Sequence, residues 1–214
     1  MTDRRQAVVD ACASVTRSGV LSPSGHGNFS SRDDGERMLL TGAGLSKAPG
    51  PDDLALVRFD GEVEQGDLLP SVAEIVGMHA AVYRCRSEVG AVVHTHSPGV
   101  TAFALAHEPL PCRYEALLRH GQAGPVPVVA WAPRGSPVLV DGITEALDAH
   151  PETSALLLAN HGVLAFSSTP ERAAALIVVL EEAARAELAA SASLGGAKEL
   201  PPGALDDVRS SMRG

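Results

Sequence analysis

The chain has 214 residues, of which 45% are hydrophobic and 20% charged, and a formal net charge of −9. That length and balance fit one globular domain large enough to bury a core, and the negative charge argues against nucleic acid or an anionic membrane as partner. No apolar run approaches the roughly 20 residues needed to span a bilayer, and Met1-Thr2-Asp3-Arg4-Arg5-Gln6 lacks the apolar segment of a signal peptide. A cytoplasmic location is expected.

Apolar residues at Ala7, Val8, Ala11, Cys12 and Val15 predict an amphipathic helix over Asp3–Arg17, ended by Gly19. The stretch Ser22-Pro23-Ser24-Gly25-His26-Gly27-Asn28-Phe29-Ser30-Ser31-Arg32 is either an anion-binding loop or a turn feeding a strand, since glycines and small polar residues serve both. Thr41-Gly42-Ala43-Gly44-Leu45-Ser46-Lys47, after the apolar Met38-Leu39-Leu40, invites the same two readings. Leu54–Phe59 reads as a strand turning at Asp60-Gly61 into Glu62-Val63-Glu64. From Pro70-Ser71 the spacing becomes helical through Tyr83, with Ser71 as N-cap and Glu74 at the capping-box position.

Gly90–His96 is the central stretch. A short apolar strand ends in His94-Thr95-His96, and side chains two apart on a strand share a face. Two imidazoles there, with a third at Asn160-His161-Gly162, can present three neutral nitrogens to one divalent ion. Ser97-Pro98 opens another helix, Val126–Val129 is a strand, and Gly135-Ser136-Pro137 opens a helix reaching His150. Glu108–His120 has no clear pattern. Ala155–Ala159 reads as a buried strand and Val163–Phe166 as its returning partner, after which Thr169-Pro170-Glu171 caps a long Ala-rich helix to Ser191. Residues 195–214 read as a flexible tail. His79 is either a core histidine or a residue that orients a metal ligand. Cys12, Cys85 and Cys112, odd in number and without C-x-x-C spacing, read as reduced thiols. With Lys47 and Lys198 as its only lysines, the chain is poorly equipped for Schiff-base chemistry.

Taken in order, Gly27-Asn28-Phe29-Ser30-Ser31-Arg32, Thr41-Gly42-Ala43-Gly44, Pro70-Ser71 with Glu74, His79-Ala80-Ala81-Val82-Tyr83, Val92-Val93-His94-Thr95-His96-Ser97 and Asn160-His161-Gly162-Val163 resemble the class II aldolase/adducin family. That family includes fuculose-phosphate and rhamnulose-phosphate aldolases, ribulose-phosphate 4-epimerases, methylthioribulose-phosphate dehydratases and some decarboxylases. The resemblance implies an α/β fold, three-layer α/β/α with a central mostly antiparallel sheet, here a single domain over residues 1–194. It also implies a homotetramer with active sites at subunit interfaces and a small-molecule substrate. One divalent metal ion per subunit is implied, zinc first with manganese, cobalt or iron as alternatives, held by residues matching His94, His96 and His161. Glu74 matches the family's acidic ligand or acid/base, and Tyr114 its tyrosine that protonates a leaving aldehyde from the adjacent subunit. Gly27, Asn28, Gly44 and Ser71 match the substrate loop, to which His26 adds a side chain able to contact a carboxylate or carbonyl.

The expected function is a metal-dependent carbon–carbon lyase, aldolase or decarboxylase, acting on a small hydroxy-carbonyl, keto-acid or sugar-phosphate substrate through a metal-stabilised enediolate. An epimerase or dehydratase on the same metal site, or a non-catalytic adducin-like assembly module, is the alternative. Three departures bear on this. Glu74 lies five residues before His79 rather than four, which at about 100° per residue redirects it on a continuous helix. Ala43 and Val72 stand where phosphate-binding hydroxyls are expected, a loss that weakens a phosphate site more than a carboxylate site. His26 replaces a small residue.

Overall fold

The computed structural model describes residues 2–45 and 48–212, so Ser46 and Lys47, at the end of the second small-residue turn, lie outside the described residues. The strands are β1 (Gly27–Arg32), β2 (Arg37–Thr41), β3 (Leu54–Arg58), β4 (Val63–Gln65), β5 (Ala91–Thr95), β6 (Val128–Val129), β7 (Ala155–Leu158) and β8 (Gly162–Ser167). Among the described residues they form one sheet in the order β4-β3-β2-β1-β5-β8-β7-β6. Each neighbouring pair is antiparallel except β6 with β7. The helices are α1 (Thr2–Arg17), α2 (Pro70–Ala73), α3 (Val76–Cys85), α4 (Pro98–Ala106), α5 (Glu115–Arg119), α6 (Pro137–Ala149), α7 (Pro170–Ser193) and α8 (Ala204–Ser211).

The strand alternation builds two cores. Phe29, Val93, Leu157, Val163 and Ala165 face α1, α4 and α7, whereas Met38, Val92, Leu156, Leu164 and Phe166 face α3 and α6. This is the expected α/β/α sandwich with a mostly antiparallel sheet. Its central strands are apolar on both faces, which is why β7 reads as an unbroken Ala-Leu-Leu-Leu.

Three elements differ from the sequence expectation. The helix expected from Ser71 to Tyr83 breaks into α2 and α3 at Glu74-Ile75, and its N-cap is Leu69 rather than Ser71. Pro70, with φ fixed by its ring and no N–H to satisfy, takes the first helical position and moves the start two residues back. Glu74 therefore closes α2, its N–H bonding to the Pro70 carbonyl at 3.3 Å, instead of completing a capping box. The strand expected over Val126–Val129 is ordered as β6 only at Val128–Val129, because Pro127 has no N–H to offer a ladder and Val126 instead bridges to Leu110. Within 195–214, read from sequence as a tail, α8 forms and buries Val208, with contacts to α5. By contrast the caps at Ser136 and Thr169 are as expected, each side chain accepting from the N–H three residues on, at 3.3 Å.

The Ala-rich α7 carries one feature its composition hides. Glu181, 1% exposed, accepts from the N–H groups of Gly99 and Val100 at 2.9 Å each and from Arg185 at 2.7 Å. These bonds tie α7 to the first turn of α4, the helix that begins directly after His96. Among the described residues no helix is long and apolar enough to cross a membrane.

Candidate metal centre and active site

His94 lies near the end of β5, opposite Asn28 of β1 and Leu164 of β8, on the sheet face covered by α3 and α6. His96 follows just beyond the strand. His161 comes from the three-residue turn between β7 and β8, where Asn160 adopts the left-handed conformation with φ 56°. That turn is held from the other side: the Asn160 N–H donates to Ala104 O of α4, and its side-chain oxygen accepts from His107 Nε2 at 2.6 Å. His107, which shows no constellation in the sequence, thus steadies the neighbour of a candidate ligand.

The three rings converge. Ring centroids are 4.7 Å apart for His94–His161, 4.9 Å for His96–His161 and 5.0 Å for His94–His96, and one nitrogen from each lies within 4.8 Å of the other two. The His94 Nδ1–H donates to Val163 O at 2.9 Å, which leaves its Nε2 lone pair facing His96 Nε2 at 3.1 Å. Two nitrogens bound tetrahedrally to one zinc would stand about 3.3 Å apart, so this donor set fits a divalent ion. Burial, reinforced by the neighbouring histidines, holds His94 well below its ordinary pKa. Burial first, then His161, His26 and Arg134, lowers His96 to about 4; burial and then Arg134 lower His161. All three are therefore neutral near pH 7, as ligands must be.

A cavity of about 300 Å³ opens beside His94 and His96, lined further by His26, Gly27, Asn28, Gly44, Ser71 and Arg134. The five expected substrate-loop residues are thus brought to one wall, with the His26 ring 5.5 Å from that of His96. Asn28 is set by a buried chain of hydrogen bonds. Its Oδ1 accepts from His79 Nε2 at 2.7 Å, His79 Nδ1 accepts from Ser30 Oγ at 2.7 Å, and Ser30 Oγ accepts from the Tyr83 hydroxyl at 2.8 Å. Burial keeps His79 neutral, its pKa lowered to about 3, and pushes the Tyr83 hydroxyl up. With its oxygen engaged, the Asn28 amide has both N–H donors left for the cavity. His79 accordingly orients a substrate-wall residue rather than a metal ligand.

Two expected catalytic residues stand apart from this set. Glu74 is half-exposed and bonded to Arg134 Nε at 2.8 Å, outside the three-histidine group and outside the cavity lining, although Val72 and Ile75 on either side line it. Tyr114 is exposed as N-cap of α5 and does not line the cavity. Arg134 was not legible as a site residue: it is a lone arginine in Ala132-Pro133-Arg134-Gly135, and nothing in that spacing signals a pocket.

Gly162 shows how tightly the centre is built. A Cβ there would stand 2.5 Å from the Thr95 carbonyl and 2.8 Å from His96 Cδ2. Gly162→Ala is expected to displace His96 and cost metal affinity by about 10–100-fold, as loss of a ligand's orienting contact does. Metal titration against a competing chelator measures it, and unchanged affinity would show that the turn yields without moving the ring.

Residues 6–188 match the family model for the class II aldolase and adducin N-terminal domain. A curated relative, 5-methylthioribulose-1-phosphate/5-deoxyribulose-1-phosphate aldolase of Escherichia coli, is 31% identical over 168 residues, covering 78% of this chain and 75% of its own. Methylthioribulose-1-phosphate dehydratase of Marinobacter nauticus is 28% identical over 175 residues, 77% of this chain and 82% of its own. Among solved structures, an L-fuculose 1-phosphate aldolase superposes with a TM-score of 0.84 at 23% identity, covering 100% of this chain and 98% of that one, a likeness of fold. With that family match spanning most of its length and the three histidines gathered at one point, the chain belongs to the class II aldolase/adducin family.

Proposed function

We propose that the chain is a metal-dependent carbon–carbon lyase, an aldolase in the first instance, for a small substrate with a hydroxyl beside a carbonyl. The observation that carries this reading is the convergence of three imidazoles on one point, two of them, His94 and His96, lining a cavity. A divalent ion held by His94, His96 and His161, zinc before manganese, cobalt or iron, supplies Lewis-acid stabilisation of the negative charge that grows on substrate oxygens as the C–C bond breaks. His94 is fixed for this by its Nδ1–H bond to Val163 O. Asn28, Ser71 and the backbone at Gly27 and Gly44 hold the far end of the substrate, with His26 beside them. Glu74 carries the proton, turning from Arg134 toward the cavity that its neighbours Val72 and Ile75 line.

Tyr114 acts across a subunit boundary in a homotetramer. Its exposure, with that of Trp131, Leu105 and Val138, fits surfaces that a second copy covers. Residues 1–194 carry this chemistry as one domain, in the cytoplasm. The dehydratase among the relatives favours a second outcome on the same site, loss of water from the substrate instead of carbon–carbon cleavage. NMR of metal-loaded protein incubated with ketose 1-phosphates, 5-deoxyribulose 1-phosphate among them, and with hydroxy-keto acids separates these. Two smaller carbonyl fragments are expected. A dehydrated product of unchanged carbon number would select the second reading, and no turnover of any of them by metal-replete protein would overturn both.

A further inference from the structure

Among the described residues, the cavity beside the histidines is lined by one cationic side chain, Arg134. It arrives from the segment ahead of α6, and that segment is pinned against the α2–α3 break: a Cβ on Gly135 would lie 3.1 Å from the Glu74 carbonyl and 3.3 Å from Glu74 Cβ. Arg134 Nε donates to Glu74 Oε2 at 2.8 Å. Glu74 thus holds one edge of the guanidinium, and among the described residues the two terminal nitrogens have no hydrogen-bond acceptor. They form a planar pair of donors whose spacing matches the two oxygens of a carboxylate. Arg134 lines the same cavity as His94 and His96, so its guanidinium is presented to the space beside the candidate metal centre.

Charge and donor chemistry point the same way. Neutral imidazoles do nothing to offset a divalent ion, and the one carboxylate near Arg134 is already paired with it, so the loaded site awaits an anion. Along the rest of the wall, among the described residues, the side-chain donors are the Ser24 and Ser71 hydroxyls, the Asn28 amide and the His26 imidazole, and Val72 lines the cavity without a hydroxyl. That wall has lost donors a phosphate would use, while the metal side has gained a fork.

We infer that Arg134 binds a carboxylate that the substrate carries next to its metal-chelating oxygen, making the substrate class a small 2-hydroxy or 2-oxo acid. This rests on the lyase reading above and narrows it. Glu74, bonded at Nε, presents the guanidinium in the productive orientation while the carboxylate takes its terminal edge.

Calorimetric titration of metal-replete wild type and Arg134→Gln with glycolate, with hydroxyacetone as a neutral chelator and with inorganic phosphate tests the assignment, with metal content measured on both proteins. Glycolate affinity is expected to fall by about 10- to 100-fold in the variant, with hydroxyacetone affinity and metal content unchanged and phosphate affected less. Unchanged glycolate affinity overturns the proposal, as does an equal loss for phosphate, which would mark the guanidinium as a reader of any anion. A wild type that takes up no divalent ion sinks the lyase reading instead. Glycolate binding that still depends on Arg134 in that metal-free protein sustains the carboxylate site.

Discussion

Replacing His94 by alanine is expected to empty the metal centre and lower kcat/KM by about three orders of magnitude or more, the equivalent of removing the several kcal/mol of Lewis-acid stabilisation a bound ion supplies. The size of the effect follows from the position of His94 in the site. It is the one ligand candidate that is fully within the sheet, 2% exposed, with its ring fixed by the Val163 carbonyl. His96 and His161, half-buried beside it, leave two donors in place of three, and with two imidazoles a divalent ion exchanges readily with solvent and chelators. Metal analysis of wild-type and His94→Ala protein, each purified without a histidine tag, gives the first readout, and turnover of the substrate identified by product analysis gives the second. About one ion per chain in the wild type and none in the variant is the expected pair. A variant retaining both ion and turnover would remove the histidine group from the mechanism. Because Ala fits a strand whose neighbours at 94 are Asn28 and Leu164, the fold should persist, and far-UV circular dichroism checks that it does.

The three-histidine group was legible because two kinds of local geometry are visible in sequence. His94 and His96 share a face by the two-residue period of a strand, and an apolar run ending in Asn160-His161-Gly162 announces a turn that returns the chain. Strand β5, the returning pair β7 and β8, and the helices that open at Ser97, Ser136 and Thr169 followed from similarly local patterns, whereas the layered sheet was implied by the family resemblance. What periodicity could not supply was contact across distance. Arg134 reaches the cavity only because Gly135 lets the loop lie against Glu74, sixty residues earlier in the chain. Glu181 is buried in an Ala-rich helix because α4 places its first N–H groups there. The phase of Glu74 was misread for a simpler reason. A capping-box pattern presumes one helix, and the break at Glu74-Ile75 resets the direction of everything before it, so counting five residues back from His79 has no helical meaning.

His79 makes the second large effect, a loss of stability in acid. Its imidazole is enclosed by Asn28 and Ser30, and its pKa is lowered to about 3 from 6.5 by burial. Between these values the unfolded chain binds a proton at this position that the folded chain does not, so stability falls as pH falls through that window and the contribution is intact above pH 6.5. Each pH unit costs about 1.4 kcal/mol, which accumulates to something on the order of 5 kcal/mol near pH 3, comparable to the whole stability of a typical domain. Urea unfolding of the metal-free protein at pH 7, 6, 5 and 4 is expected to show this descent. His79→Gln, which cannot take up the proton, is expected to start lower at pH 7, since glutamine reproduces the Asn28 and Ser30 bonds imperfectly, and then to descend less steeply by about one proton equivalent. Parallel slopes for the two proteins would mean that His79 is protonated in the folded state. The Asn28 oxygen would still be served by an imidazolium, but Ser30 would then have to turn its hydroxyl from donor to acceptor, reversing the hydrogen-bond chain back to Tyr83. A buried cation would also stand behind the substrate wall, adding positive charge where the neutral chain adds only orientation.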